Sequence, residues 1–167
     1  KKSIYTPHDC DVCEQLKKFS DNCSTPKVAV VIPIKSEYPG IKDTLISLST
    51  SAARAKTTLH VVCVVNCHEN DNAEIKQNNA QTLSFLNEDE KIAGLFISAL
   101  NLASEGHYIP EKDSVGYARK AGMDYALACG SDVIACMDAD TLVAENYAEE
   151  LLNFSHNHEK RKFALIP

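Results

Sequence analysis

No apolar run in this sequence reaches ten residues, so no stretch of it is long enough to cross a bilayer as a helix. Basic residues are not in excess either. The formal net charge of -6 has the wrong sign for the phosphate contacts of a general nucleic-acid binder. The N-terminal residues Lys1 to Tyr5 are followed by no apolar stretch, so a signal-peptide pattern is missing. A Gly-x-Gly-x-x-Gly after the first strand is lacking, as is a phosphate-loop Gly-Lys-Ser/Thr, which argues against Rossmann dinucleotide binding and P-loop chemistry. The seven cysteines include one Cys-x-x-Cys pair, Cys10 and Cys13, near His8 and Cys23. Zinc sites of this spacing need a second well-spaced pair, and none follows. Residues 1–26 therefore read as an N-terminal extension carrying reduced thiols, with a short helix around Val12 to Phe19, and not as a structural zinc site. Cys63, Cys67 and Cys136 lie in or beside apolar runs and fit buried free thiols, so a cytoplasmic placement is expected.

What is present suits one globular domain. The 167 residues are 44% hydrophobic and 24% charged, enough to bury a real core. The chain starts without Met and stops at Phe163 to Pro167, which reads as a strand cut short; a fragment of a longer protein is the expectation.

Strand and helix patterns alternate. The β-branched run from Val28 to Pro33 is the first strand, with Pro33 expected to stop its ladder. Ile34 to Gly40 follows as a loop. Ile41, Leu45, Leu48, Ala52 and Ala53 then recur at helical spacing, predicting a helix to about Lys56. Leu59 to Val65 is a second strand, and Asn66 to Asn72 a polar loop. A helix from Ala73 to Leu86, a strand from Leu95 to Leu100 and a loop from Ala103 to Asp113 come next. Ser114 to Cys129 reads as a helix with a small-residue stripe through Ala118, Gly122 and Ala126, closed by Gly130. Val133 to Met137 is a fourth strand, Ala144 to His156 a helix, and Phe163 to Ile166 a fifth strand. Such alternation predicts an α/β fold with a mainly parallel sheet flanked by helices. The loops after Pro33, Val65 and Met137 would gather at the carboxyl edge of that sheet, its usual binding site.

The fourth strand ends in two carboxylates one residue apart, Asp138 and Asp140. Two readings fit them. At a strand's carboxyl end they are placed to hold a hard divalent cation, which takes one or two carboxylates together with ligand phosphates. Alternatively, Asp140 and Thr141 are turn and N-cap residues of a helix beginning near Leu142 or Ala144.

Four segments, taken in order, resemble the nucleotide-sugar-binding half of family-2 glycosyltransferases, inverting enzymes of the GT-A fold. Val30 to Glu37 is similar to the family's opening strand and its Pro-x-x-Asn-Glu turn. Val64-Val65-Asn66-Cys67 stands in the place of its Val-Asp-Asp-Gly-Ser. Gly116 to Gly122 resembles its Gly-x-x-x-Ala-Arg-Asn-x-Gly helix, and Met137 to Asp140 its Asp-x-Asp, with Tyr147 where an aromatic residue is frequent. The resemblance covers residues 27–167 and implies a GT-A-like domain truncated after about five strands, without the acceptor half. It implies a nucleotide-sugar site at Pro33, Ile34, Lys35, Glu37, Asn66, Arg119, Asp138, Ala139 and Asp140, with Mn²⁺ or Mg²⁺ at Asp138 and Asp140. The partners it implies are a nucleotide-diphosphate sugar of UDP or GDP type and an acceptor it does not identify. Lys35 replaces a base-stacking aromatic, and Asn66 or Cys67 the base-reading Asp, which leaves the donor base open. The family's general base lies downstream of the region present, and Glu145, Glu149 and Glu150 read as a solvated helix face. The other reading is a GT-A-like binding module that has lost transferase activity. A sugar-nucleotide pyrophosphorylase would need a Gly-rich basic loop after the first strand, and Ile34 to Gly40 does not supply one.

Overall fold

The computed structural model describes residues 28–88, 92–112 and 115–157. The expected N-terminal extension, with His8, Cys10, Cys13 and Cys23, and the expected fifth strand lie outside the described residues. Among the described residues four strands and four helices alternate: β1 (Val28–Ile34), α1 (Ile41–Arg54), β2 (Leu59–Asn66), α2 (Ala73–Leu86), β3 (Leu95–Leu102), α3 (Val115–Ala128), β4 (Val133–Cys136) and α4 (Tyr147–Asn157). All three strand pairs are parallel, in the order β3-β2-β1-β4. The α/β reading holds. β1 and β2 are buried along their whole lengths, which is why both read as continuous apolar runs.

Alternation along the strands divides the core between the two sheet faces. Val28, Val30, Ile32 and Ile34 of β1 share one face with Val61, Cys63 and Val65 of β2, packed with Leu45, Leu48 and Ala52 of α1 and Leu151 of α4. Ala29 and Val31 point the other way with Val62 and Val64, against Ala118, Ala121 and Ala126 of α3. The small residues of α3 let it lie close to the sheet. A Cβ added to Gly122 would come 2.4 Å from Val31 Cγ1 and 2.9 Å from Val64 Cγ2. The helix stops as expected at Gly130, whose φ is 81°. Gly130 N–H donates to the Leu127 carbonyl (2.9 Å) and Ser131 N–H to that of Ala126 (3.1 Å), the paired bonds of a Schellman turn.

Two boundaries differ from the sequence reading in ways that shape the site. β1 does not end at Pro33 but continues to Ile34, in register with β2. β4 pairs with β1 only from Val28 to Val31, and Val31 directs its carbonyl to Met137 (3.1 Å). Pro33, two residues on, faces the same side beyond that ladder, where no N–H is required. Second, α4 begins at Tyr147, so neither Asp140 nor Thr141 is its N-cap.

Candidate functional site

The loops after β1, β2 and β4 enclose a cavity of about 470 Å³ at the carboxyl edge of the sheet. Its walls are chemically unlike. Glu37, Asp138 and Asp140 supply carboxylates, and Lys35, Asn66 and His68 supply nitrogen-bearing groups. Pro33, Ile109 and Val115 add apolar surface between them.

The acidic wall is built by α1. Ala139 is buried, which turns its neighbours Asp138 and Asp140 outward to solvent. The buried Thr44 hydroxyl donates to the Ala139 carbonyl at 2.6 Å. Ser47 Oγ accepts from Val143 N–H (3.2 Å), and Ser51 Oγ accepts from Ala148 N–H (2.7 Å). Residues 44, 47 and 51 are spaced three and four apart, so their hydroxyls form one polar seam along the helix. That seam fastens the segment after β4 and supplies from another helix the cap that α4 would otherwise need. Within the turn, Thr141 N–H donates to the Asp138 carbonyl at 3.2 Å. The Asp138 carboxylate pairs with the Arg119 guanidinium on α3; Asp140 takes part in no ion pair among the described residues. Partial burial raises the Glu37 carboxyl above its ordinary value, and the charges of Asp140 and Asp138 raise it further. The charges of Asp138 and Asp140 thus act on Glu37 across this wall.

The opposite wall is held by ion pairing and buried amides. Lys35 Nζ lies 2.7 Å from Asp71 Oδ2, which also accepts from His68 N–H at 2.8 Å. Burial alone would raise the Asp71 carboxyl, but these partners hold it below the usual carboxylate range. Asn66 is buried at the end of β2, and its Nδ2 donates to the Ile34 carbonyl (3.0 Å) and the Val64 carbonyl (3.1 Å). With both amide hydrogens used on the backbone, the group it has left for the cavity is an acceptor.

The structure brings Pro33, Lys35, Glu37, Asn66, Asp138, Ala139 and Asp140 to one cavity. Arg119 joins them through Asp138. Ile34 does not: its side chain is fully buried in the core on the α1 face, and only its carbonyl serves the site, as the acceptor for Asn66. Sequence reasoning missed His68, Ile109 and Val115, which line the cavity, and Asp71, which anchors Lys35. The density of polar residues from Asn66 to Asn72 was the available signal for His68 and Asp71. Nothing in the pattern marked Ile109, which is placed by its own N–H donating to the Cys67 carbonyl (3.1 Å). Glu149 and Glu150 lie on α4 as expected, whereas Glu145 precedes that helix; Glu145 and Glu149 both pair with Arg54, at 3.0 and 3.6 Å.

Cys63 and Cys67 are free and buried, with burial pushing the Cys63 thiol up to about 12; Cys136 is free and exposed. Cys129 is disulfide-bonded. Among the described residues no helix is long and apolar enough to cross a membrane.

These features define an α/β domain with a polar, acid-walled cleft at the carboxyl edge of a parallel sheet. No protein-family model matches the sequence, and no curated protein does. Among solved structures, the crystal structure of S. aureus TarS 1-349 is similar, with a TM-score of 0.49 and 18% identity, over 79% of this chain and 33% of that one. This chain thus spans about a third of that structure's length, and a likeness at this level assigns neither family nor activity. Among the described residues no group of three or more His, Cys, Asp or Glu is placed to cage a metal ion.

Proposed function

We propose that this chain is the donor-binding part of a glycosyltransferase, holding a nucleotide-diphosphate sugar of UDP or GDP type beside a divalent cation. The observation that carries the reading is the placement of Asp138 and Asp140. They stand at the carboxyl edge of a parallel sheet, in one cavity with Glu37, Lys35 and Asn66, and cap no helix. The order of the Pro33–Glu37, Gly116–Gly122 and Asp138–Asp140 segments in the sequence supports it. Asp140, with Asp138 beside it, would hold Mn²⁺ or Mg²⁺, which neutralises a departing diphosphate as a Lewis acid. Arg119 fixes Asp138, and its own positive charge lies on the same side, fitting it to approach phosphate oxygens. Pro33, Ile109 and Val115 offer the apolar surface a base or ribose would cover, and Asn66 an acceptor for a ring N–H. The acceptor substrate and the general base belong to the parent protein, outside these residues.

Isothermal calorimetry with UDP and GDP, with and without Mn²⁺, tests this on the wild type and Asp140→Ala. Binding that requires Mn²⁺ and weakens at least tenfold in the variant is expected. Equal binding by both proteins sinks the reading, as does the absence of binding in a longer parent chain. A binding module without transferase activity would share the binding result and separate from an enzyme only in turnover by the parent.

A further inference from the structure

Two adjacent asparagines on α2, Asn78 and Asn79, reach across to the loop after β1, some forty residues earlier in the chain. Asn79 is fully buried. Its Oδ1 accepts from Ser36 N–H (2.9 Å) and its Nδ2 donates to the Asn66 carbonyl (3.0 Å). One side chain thus joins the loop after β1 to the end of β2, the two elements that carry Lys35 and Asn66. Asn78 makes a two-point contact with a single residue. Its Oδ1 accepts from Tyr38 N–H (2.9 Å), and its Nδ2 donates to the Tyr38 carbonyl (2.8 Å), pairing with that residue as a neighbouring strand would. Ser36 is held at φ 63°, a left-handed conformation that a non-glycine residue keeps only when its surroundings impose it. Glu37 sits between the two clamped residues, and its carbonyl accepts from Ile41 N–H (2.9 Å) at the start of α1. The backbone on both sides of this carboxylate is therefore fixed by amides from a different element.

We propose that Asn78 and Asn79 are positioning residues, which set the loop from Lys35 to Tyr38 so that Glu37 is presented to the Asp138 and Asp140 wall of the cavity. A helix exposing one amide at the surface would need no such pair. Here each amide uses its donor and its acceptor on backbone groups of the loop or of β2. The ligand-binding part of this inference rests on the donor-site reading; the loop-ordering part does not.

The test uses the 167-residue chain with Asn78→Ala, Asn79→Ala and the conservative Asn78→Asp, which keeps an acceptor for Tyr38 N–H but loses the donor. Amide hydrogen exchange reports loop order, and calorimetry with UDP or GDP plus Mn²⁺ reports binding. In Asn78→Ala the Tyr38 amide is expected to exchange at least tenfold faster while the amides of β1 and β2 keep wild-type rates. Nucleotide affinity falls about tenfold, in line with losing a hydrogen bond to an ordered loop, and Asn78→Asp falls between. Asn78 is only partly buried, so its variants keep the question open to measurement even if Asn79→Ala does not fold. Unchanged exchange at Tyr38 overturns the proposal. So does wild-type affinity alongside faster exchange, or acceleration spread evenly over the whole sheet, which marks a purely structural role. If the wild type binds neither nucleotide, the donor-site reading fails by itself, and exchange at Ser36 and Tyr38 decides the positioning claim.

Discussion

Substituting Gly122 by Ala sets two effects of known size against each other. At an exposed helical position the change stabilises by about 1 kcal/mol, because Ala loses less backbone entropy. At Gly122 the new Cβ would lie 2.4 Å from Val31 Cγ1 and 2.9 Å from Val64 Cγ2, where carbon atoms in contact keep about 3.5–4.0 Å. Val31 and Val64 are fully buried in neighbouring central strands, so neither methyl has open space to move into. Overpacking of this kind costs about 1–3 kcal/mol and occasionally more. With two contacts, one short by more than an ångström, the upper end applies, and a net loss of about 2 kcal/mol remains after the propensity gain. For a domain of this size that is a fall of about 4–8 °C in Tm. Thermal and urea unfolding followed by circular dichroism would measure it. Trimming Val31 in the same chain should return room, so Val31→Ala with Gly122→Ala should cost less than the sum of the single changes, by about 0.5–3 kcal/mol. A Gly122→Ala variant as stable as wild type, or two substitutions that simply add, would refute the packing argument. Any shift of α3 also moves Arg119, so the same variant should loosen the contact with Asp138.

Two further outcomes follow from buried polar groups. His60 is buried with its Nε2 2.9 Å from Ser98 Oγ, and burial lowers its pKa from 6.5 to about 4. The folded protein therefore binds fewer protons than the unfolded chain between those values. The contribution is complete above about pH 6.5 and is lost as pH falls through about 4, amounting to about 3 kcal/mol. Urea midpoints of wild type and His60→Gln should diverge across that interval, and parallel pH profiles would contradict the assignment. Thr44→Val keeps the shape of a buried side chain but leaves the Ala139 carbonyl without its 2.6 Å donor. A loss of about 1–3 kcal/mol is expected, with Mn²⁺-dependent UDP or GDP binding weakened and both restored by Thr44→Ser. Wild-type binding by a destabilised Thr44→Val would separate the hydroxyl from the site.

The strands were legible because β1 and β2 are covered on both faces and must be apolar throughout. The helices were legible where a stripe faced the sheet, as with Leu45, Leu48 and Ala52. What could not be read was support arriving from distant parts of the chain. Thr44, Ser47 and Ser51 carry no signal in the helical pattern, and their partners lie 95 to 97 residues away. Asn78 and Asn79 likewise make sense only once α2 is docked beside the loop after β1. Ile34 was misplaced for a related reason. Pro33 suggested the end of the ladder, whereas the ladder continues one residue further and turns the Ile34 side chain into the core.

That same hidden support removes the N-cap part of the second reading of Asp138 and Asp140, while the turn part stands, with Thr141 N–H donating to the Asp138 carbonyl at 3.2 Å. A capping role requires a helix within a residue or two, and α4 begins only at Tyr147. Ser51 reaches from α1 to the first turn of that helix, so Asp140 and Thr141 keep only the turn role. The Thr44 hydroxyl fastens the segment that carries them, and Arg119 holds the Asp138 carboxylate. Arg119 pairs with Asp138, and Asp140 takes part in no ion pair among the described residues, so on the proposed donor-site reading Asp140 is the carboxylate left open to a cation.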